Sequence, residues 1–219
     1  MIKHIPNFFT SLNIAVGCVG IYFTLSGGKI EALYFVLVAA VFDVLDGLLA
    51  RLLNLKSEFG AQLDSLADLI SFGLLPSFYV LSVLENMSAY YWIAILTALF
   101  SAYRLAKFNT DDSQTDSFVG LPTPANAIML TSTFLLPFEV SALLLIGITI
   151  ISCLLLVAPI RLLALKFNSF KWSGNESRWM LIIGCVILLF TFKWGFVPFL
   201  IPFYVFVSLV FSFRSNRKA

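Results

Sequence analysis

The stretch FDVLDGLLARLLNLKSEFGAQLDSLADLISFG, Phe42 to Gly73, sets four aspartates, Asp43, Asp46, Asp64 and Asp68, into a chain that is 60% hydrophobic and only 12% charged. A carboxylate at the centre of a membrane helix costs about 2.5–3.5 kcal/mol on insertion scales, and intramembrane charges are functional by default. Asp43 and Asp46 are i and i+3, with Ala50 at i+7, so they share one helical face. Gly60, Asp64 and Asp68 are i, i+4 and i+8, again one face. The connection LLNLKSEF between the two segments is short, which predicts antiparallel neighbouring helices with all four carboxylates converging near one membrane interface.

Four bare carboxylates cannot share that space. Like charges in a low dielectric force protonation of some of them unless a counter-charge is present. The simplest neutraliser is a divalent cation, and two of them suit this ligand count. Oxygen ligands favour Mg²⁺ or Mn²⁺, and a pair of such ions about 4 Å apart clamps a diphosphate. Gly47, Ala50 and Gly60 leave the faces between the aspartates bare, so a ligand can approach the backbone. Arg51 ends the second segment at the same level and can bind a phosphate with paired hydrogen bonds. The bland alternative is a structural network in which Asp43 and Asp46 pair with Arg51 or Arg104 while Asp64 and Asp68 face water.

The rest of the chain fits a membrane setting. Its mean hydropathy is +0.96, and soluble domains carry about 25% charged residues. At 219 residues it reads as one all-α, polytopic membrane bundle, a single domain over 1–219. A bilayer core needs about 20 apolar residues per helix. Eight candidate spans follow, near 8–26, 31–51, 61–84, 89–107, 122–138, 140–160, 177–194 and 197–213, the fifth being short. With eight spans, 12 of the 14 cations fall on the side of the termini and only Lys29 and Lys193 on the other. The positive-inside rule makes the rich side, which carries the aspartates, cytoplasmic. The three cysteines, Cys18, Cys153 and Cys185, are far apart and read as small apolar packing residues. The one histidine, His4, reads as interfacial. No basic run with interleaved aromatics points to nucleic acid.

The pattern D-x2-D-G-x2-A-R-x8-G-x3-D-x3-D, met here by Asp43, Asp46, Gly47, Ala50, Arg51, Gly60, Asp64 and Asp68 without departure, resembles the signature of the CDP-alcohol phosphatidyltransferase family. That resemblance implies an all-helical membrane enzyme, a homodimer, with a two-metal site. It implies that a CDP-linked lipid such as CDP-diacylglycerol gives its phosphatidyl group to an alcohol while CMP leaves. Carried onto this chain, it implies one metal on Asp43, Asp46 and Asp64 and the other on Asp43, Asp64 and Asp68. Gly47, Ala50, Arg51 and Gly60 would line the CDP pocket, and Asp68 would take the proton of the attacking hydroxyl. No serine, cysteine or histidine is paired with a base near the site, so direct displacement is expected. The implied setting is an integral protein of a prokaryotic plasma membrane, in contact with membrane lipids.

Two flanking stretches are similar to the phosphatidylserine synthase branch of that family. The run R-L-A-R-F-N is present as Arg104 to Asn109 with Lys107 in place of the second arginine, and F-x-G-L-P-x-P-A is present as Phe118 to Ala125. These imply L-serine as the acceptor. A zwitterionic acceptor needs a cation for its carboxylate, and Arg104 is the candidate, against the alternative of a snorkelling interfacial arginine. The loop acids Asp111, Asp112 and Asp116 are candidates for the ammonium or for plain solvation. Asn7, Thr10 and Asn13 recur at spacing three in the first span and read as ligands of the CDP head or of a neighbouring helix, with Asn13 taken as a CDP-lipid ligand. The alternatives left open are inositol phosphate or glycerol phosphate as acceptor, an ether-lipid donor, and a divalent-cation transporter.

Overall fold

The computed structural model describes residues 5–55, 57–110, 120–160, 162–163 and 175–216. His4, the loop acids Asp111, Asp112 and Asp116, Phe118, and the cations Lys3, Lys56, Arg161, Lys166, Lys171, Arg217 and Lys218 lie outside the described residues. Among the described residues every regular element is helical.

Helices α1 (Ile5–Leu25) and α2 (Lys29–Leu52) form an antiparallel hairpin. Its turn passes through Gly27 at φ 97°, a conformation that L side chains rarely adopt. Helix α3 (Glu58–Asp68) starts at Ser57, whose hydroxyl accepts from the Gly60 amide at 3.0 Å, a side-chain N-cap. α3 runs into a π-helical segment, Leu69–Leu74, and then α4 (Leu75–Leu84). Together these make one helical stretch where a plain helix over 61–84 is expected from sequence. Pro76 accounts for the difference. It has no N–H for the Phe72 carbonyl and its ring crowds that carbonyl, so the preceding turn widens. The wide turn begins immediately after Asp68.

Next come α5 (Ile95–Thr110), α6 (Thr123–Thr131), α7 (Ala142–Val157), α8 (Glu176–Phe192) and α9 (Val197–Asn216). Helix thus stands at each of the eight expected places. Four stretches are individually long and apolar enough to cross a bilayer: Ile5–Leu25, Lys29–Leu52, Glu58–Leu84 and Arg178–Phe211. α7 is 16 residues long, or about 24 Å at 1.5 Å per residue, and α6 has only 9 residues. The protein is an integral, polytopic helical membrane protein.

The core lies around the π segment and α4. Phe72, Leu75, Tyr79, Val80 and Leu84 pack there against Ala32, Val36 and Ala39 of α2, Leu130 of α6 and Leu145 of α7. α1 approaches this column closely. Ser71 donates to the Asn13 carbonyl at 3.0 Å. A Cβ on Gly20 would meet Leu75 Cδ1 at 2.5 Å and Phe35 Cβ at 2.7 Å. Gly20→Ala is therefore expected to destabilise by about 1–3 kcal/mol through overpacking. A melting curve of the detergent-purified variant, shifted several degrees down, checks this.

Candidate active site

The α1–α2 hairpin and the start of α3 bring the sequence-identified residues to one end of the bundle. α2 runs toward that end and α3 runs away from it, so Asp43 and Asp46 face Asp64 and Asp68 across the helix pair. One carboxylate oxygen each from Asp43, Asp64 and Asp68 lies within 4.8 Å of the other two. Asp46 stands apart from that trio. It is only 5% exposed, and its Oδ2 accepts a hydrogen bond of 2.7 Å from Thr10 Oγ1 on α1.

A cavity of about 640 Å³ opens beside these carboxylates, within the range of small-molecule sites. Asp43, Asp46, Gly47, Ala50, Arg51, Gly60 and Asp64 line it, with Asn7 and Thr10 of α1 and Phe108 at the end of α5. The bare faces matter here. A Cβ added at Gly47 would find only Arg51 Nη2, at 3.9 Å, so that side of α2 is open space. At Gly60 a Cβ would sit 3.3 Å from Asn7 Oδ1 and 3.1 Å from Ser57 Oγ. Arg51 is exposed and lies back on its own helix, its Nε donating to the Gly47 carbonyl at 2.9 Å. Its outer guanidinium nitrogens remain at the cavity wall.

Arg104 on α5 is close enough to Asp68 for their charges to interact, though neither residue is part of the cavity lining. The end of α5 is tied to α3 by Asn109, whose amide donates to Ser65 Oγ at 2.9 Å. Asn13 lies on the Thr10 face of α1, one turn deeper. It is fully buried, and it does not line the open cavity.

Buried polar atoms are nearly always hydrogen-bonded, which makes the exceptions informative. Among the described residues, Asp64 Oδ1, Asp68 Oδ1, Arg104 Nε, Ser101 Oγ, Thr123 Oγ1 and the side-chain amides of Asn13 and Asn126 are buried without a partner. All come from the half of the bundle that holds the carboxylates. In the other half the buried polar groups are satisfied. Tyr79 and Thr133 hydroxyls bond at 3.0 Å, Ser77 donates to the Ala94 carbonyl at 2.8 Å, and Thr24 to the Gly20 carbonyl at 2.7 Å. A second cavity of about 640 Å³ in that half, between Lys29, Tyr79, Phe138 and Glu139, is lined by this satisfied pair.

The orphaned oxygens of Asp64 and Asp68, converging with Asp43, fit a divalent cation, which such hard donors hold without further protein partners. Sequence reasoning missed Ser57, Ser101, Thr123 and Asn126. Ser57 is legible in hindsight as a helix start, serine three residues before Gly60. A lone amide in the apolar run ANAIML was the available signal for Asn126.

The sequence comparisons agree with this geometry. The family profile "CDP-alcohol phosphatidyltransferase" matches residues 3–158. The chain is similar to the CDP-diacylglycerol–serine O-phosphatidyltransferase of Helicobacter pylori strain J99, at 30% identity over 98% of this chain and 96% of that protein. It is similar to the protein of the same name in Bacillus subtilis strain 168, at 33% identity over 81% of this chain and 99% of that protein. A protein of that name in Methanocaldococcus jannaschii is 35% identical over 58% of each chain. The match over most of the chain and the aspartate site within it have one conclusion: this is a membrane-embedded enzyme of the CDP-alcohol phosphatidyltransferase family.

Proposed function

We propose that this enzyme transfers the phosphatidyl group of CDP-diacylglycerol to the hydroxyl of L-serine, giving phosphatidylserine and CMP. The observation that carries the reading is the convergence of Asp43, Asp64 and Asp68 beside an open cavity walled by Gly47, Gly60 and Arg51. The relatives' names support serine as the acceptor, as does Arg104 beside Asp68.

The roles follow from the chemistry. Asp43, Asp46, Asp64 and Asp68 hold divalent metal, Mg²⁺ or Mn²⁺, at two positions. Asp43 and Asp64 serve both, Asp46 the first and Asp68 the second. When bound, the metal neutralises the diphosphate and stabilises charge on the departing phosphate. Thr10 fixes the orientation of Asp46 through its hydrogen bond. Gly47, Ala50 and Gly60 let the donor's diphosphate pass close to the backbone, and Arg51 turns its free nitrogens to it. Asn13, one turn deeper than Thr10 and outside the cavity lining, would reach the donor only if the bound donor extends past Thr10; both ends of its amide are free to meet it. The serine hydroxyl oxygen forms a bond to the phosphorus that carries diacylglycerol, and the bond from that phosphorus to the CMP oxygen breaks. The hydroxyl proton passes to Asp68, which lies within 4.8 Å of Asp43 and Asp64 and whose Oδ1 has no protein partner. Arg104 receives the serine carboxylate. The carboxylates sit at the cytoplasmic face, where the positive-inside rule puts them, and the enzyme works as a homodimer, as the family resemblance implies.

Two experiments test the reading. Labelled L-serine, inositol phosphate and glycerol phosphate are offered separately with CDP-diacylglycerol, and the lipid product is identified. Label from serine alone is expected in lipid; label from another alcohol instead discards serine and keeps the site. Arg104→Lys is expected to raise the serine KM about tenfold while the donor KM stays within twofold, because an ammonium loses the paired geometry. An unchanged serine KM removes Arg104 from the acceptor's surroundings.

A further inference from the structure

The helix α6 begins in a rigid mount. Gly120, at φ 78°, donates to the Ile160 carbonyl at 2.9 Å, and Leu121 donates to the Leu155 carbonyl at 2.8 Å. A side chain at Gly120 would strike the Leu156 carbonyl oxygen, at 2.5 Å from its Cβ. The sequence G-L-P-T-P-A is thereby stapled to the end of α7, and Pro122 and Pro124 fix the entry to α6. This mount holds Thr123 and Asn126, which are i and i+3 and share one face. α6 packs against α2 and against the π segment that begins directly after Asp68. On the other flank of that segment, Ser101 and Arg104 of α5 are again i and i+3, and Ser101 lies against Gly73.

The side-chain polar atoms of Thr123 and Asn126 find no hydrogen-bond partner among the described residues. Thr123 is 1% exposed and Asn126 0%, yet the Thr123 hydroxyl and both ends of the Asn126 amide have no partner. Further along the same helix, Thr131 disposes of its hydroxyl on the Ala127 carbonyl at 2.7 Å. Asparagine is a poor helix former, and an unpaired buried amide is costly. Both costs leave the Asn126 amide open to a bound molecule.

We infer that Thr123 and Asn126 form the wall of the acceptor pocket and select the acceptor alcohol by hydrogen-bonding its charged substituents. This rests on the transfer reaction proposed above and adds two residues to it. The Asn126 amide oxygen accepts from the acceptor's ammonium, its nitrogen donates to the carboxylate that Arg104 neutralises, and Thr123 supplies a further donor and acceptor. An acceptor alcohol without both charges leaves these groups unpaired and is disfavoured.

The test uses the purified full chain and reads the donor and acceptor KM separately, together with the melting temperature. Asn126→Leu keeps the volume and removes the orphaned amide, so its melting temperature is expected to equal or exceed the parent's. Its acceptor KM is expected to rise about 10- to 100-fold, with the donor KM within twofold. Thr123→Val is expected to raise the acceptor KM about 3- to 10-fold. An acceptor KM within twofold of the parent in both variants overturns the inference. So does an equal rise in both KM values, which would put Asn126 on the donor. Asn126→Ser is read the same way if the leucine variant does not fold. If the parent uses a different alcohol, the serine reading has failed, and the KM for that alcohol still decides the pocket. If the parent turns over no alcohol, the transfer reaction has failed. Thermal stabilisation by L-serine in the parent but not in Asn126→Leu then still supports the pocket, and equal or absent stabilisation overturns it.

Discussion

Asp68→Asn is expected to lower kcat by about a thousandfold or more while the protein melts no earlier than the parent. The first half follows from the role proposed for Asp68. General-base assistance alone is worth about 10²–10⁴, and an asparagine amide can neither take the proton nor supply charge to a cation. The second half follows from the hydrogen bonds. Asp68 Oδ1 and Asp64 Oδ1 have no protein partner to lose, and removing one charge from a crowded set of carboxylates relieves repulsion. A structural carboxylate would behave in the opposite way, since breaking a buried network destabilises. Asp43→Asn and Asp64→Asn are expected to match the loss of turnover. They differ in donor binding: in the proposed ligand set Asp43 serves both metal positions and Asp68 one, so Asp68→Asn should retain more CMP binding than Asp43→Asn. Equilibrium binding of labelled CMP with Mn²⁺ checks this, and equal loss in both would contradict the division of ligands.

Gly47→Ala is expected to make a more stable and much less active protein. Alanine in a helix interior is favoured over glycine by about 1 kcal/mol. The added Cβ meets no protein atom closer than Arg51 Nη2 at 3.9 Å, so nothing in the fold opposes it. The methyl group instead enters the cavity beside Asp43 and Asp46, where the proposed reaction puts the donor's diphosphate. A displacement of about 1 Å there costs about 10²-fold in rate. The expected result is a raised melting temperature with kcat/KM for the donor down by about two orders of magnitude. The contrast with Gly20→Ala sharpens the test, because there the same change runs into Leu75 and Phe35 and should harm stability first. Full activity in Gly47→Ala would mean that the donor does not pass along that face of α2.

The parts of this site that were legible in the sequence are local ones. Helical spacing placed Asp43 with Asp46 and Asp64 with Asp68, and a short connection made their helices neighbours. The convergence of Asp43, Asp64 and Asp68 within 4.8 Å is the three-dimensional form of that pattern. What was not legible depends on packing between distant segments. The hydrogen bond from Thr10 to Asp46 spans 36 positions, and spacing within α1 could not tell a neighbouring helix from a ligand. Asn126 looks like any amide in an apolar run until the absence of a partner within the bundle is seen. The π segment had a visible cause in Pro76, but its effect depends on how the surrounding helices hold the widened turn.

CMP release tests metal-dependent direct transfer at the aspartate site most directly. Purified protein with CDP-diacylglycerol is assayed with and without L-serine, and with Mg²⁺, Mn²⁺ or a chelator. CMP released only when serine and a divalent cation are both present is the predicted result. Release that persists in chelator, or that proceeds stoichiometrically with the protein before any alcohol is added, would contradict it.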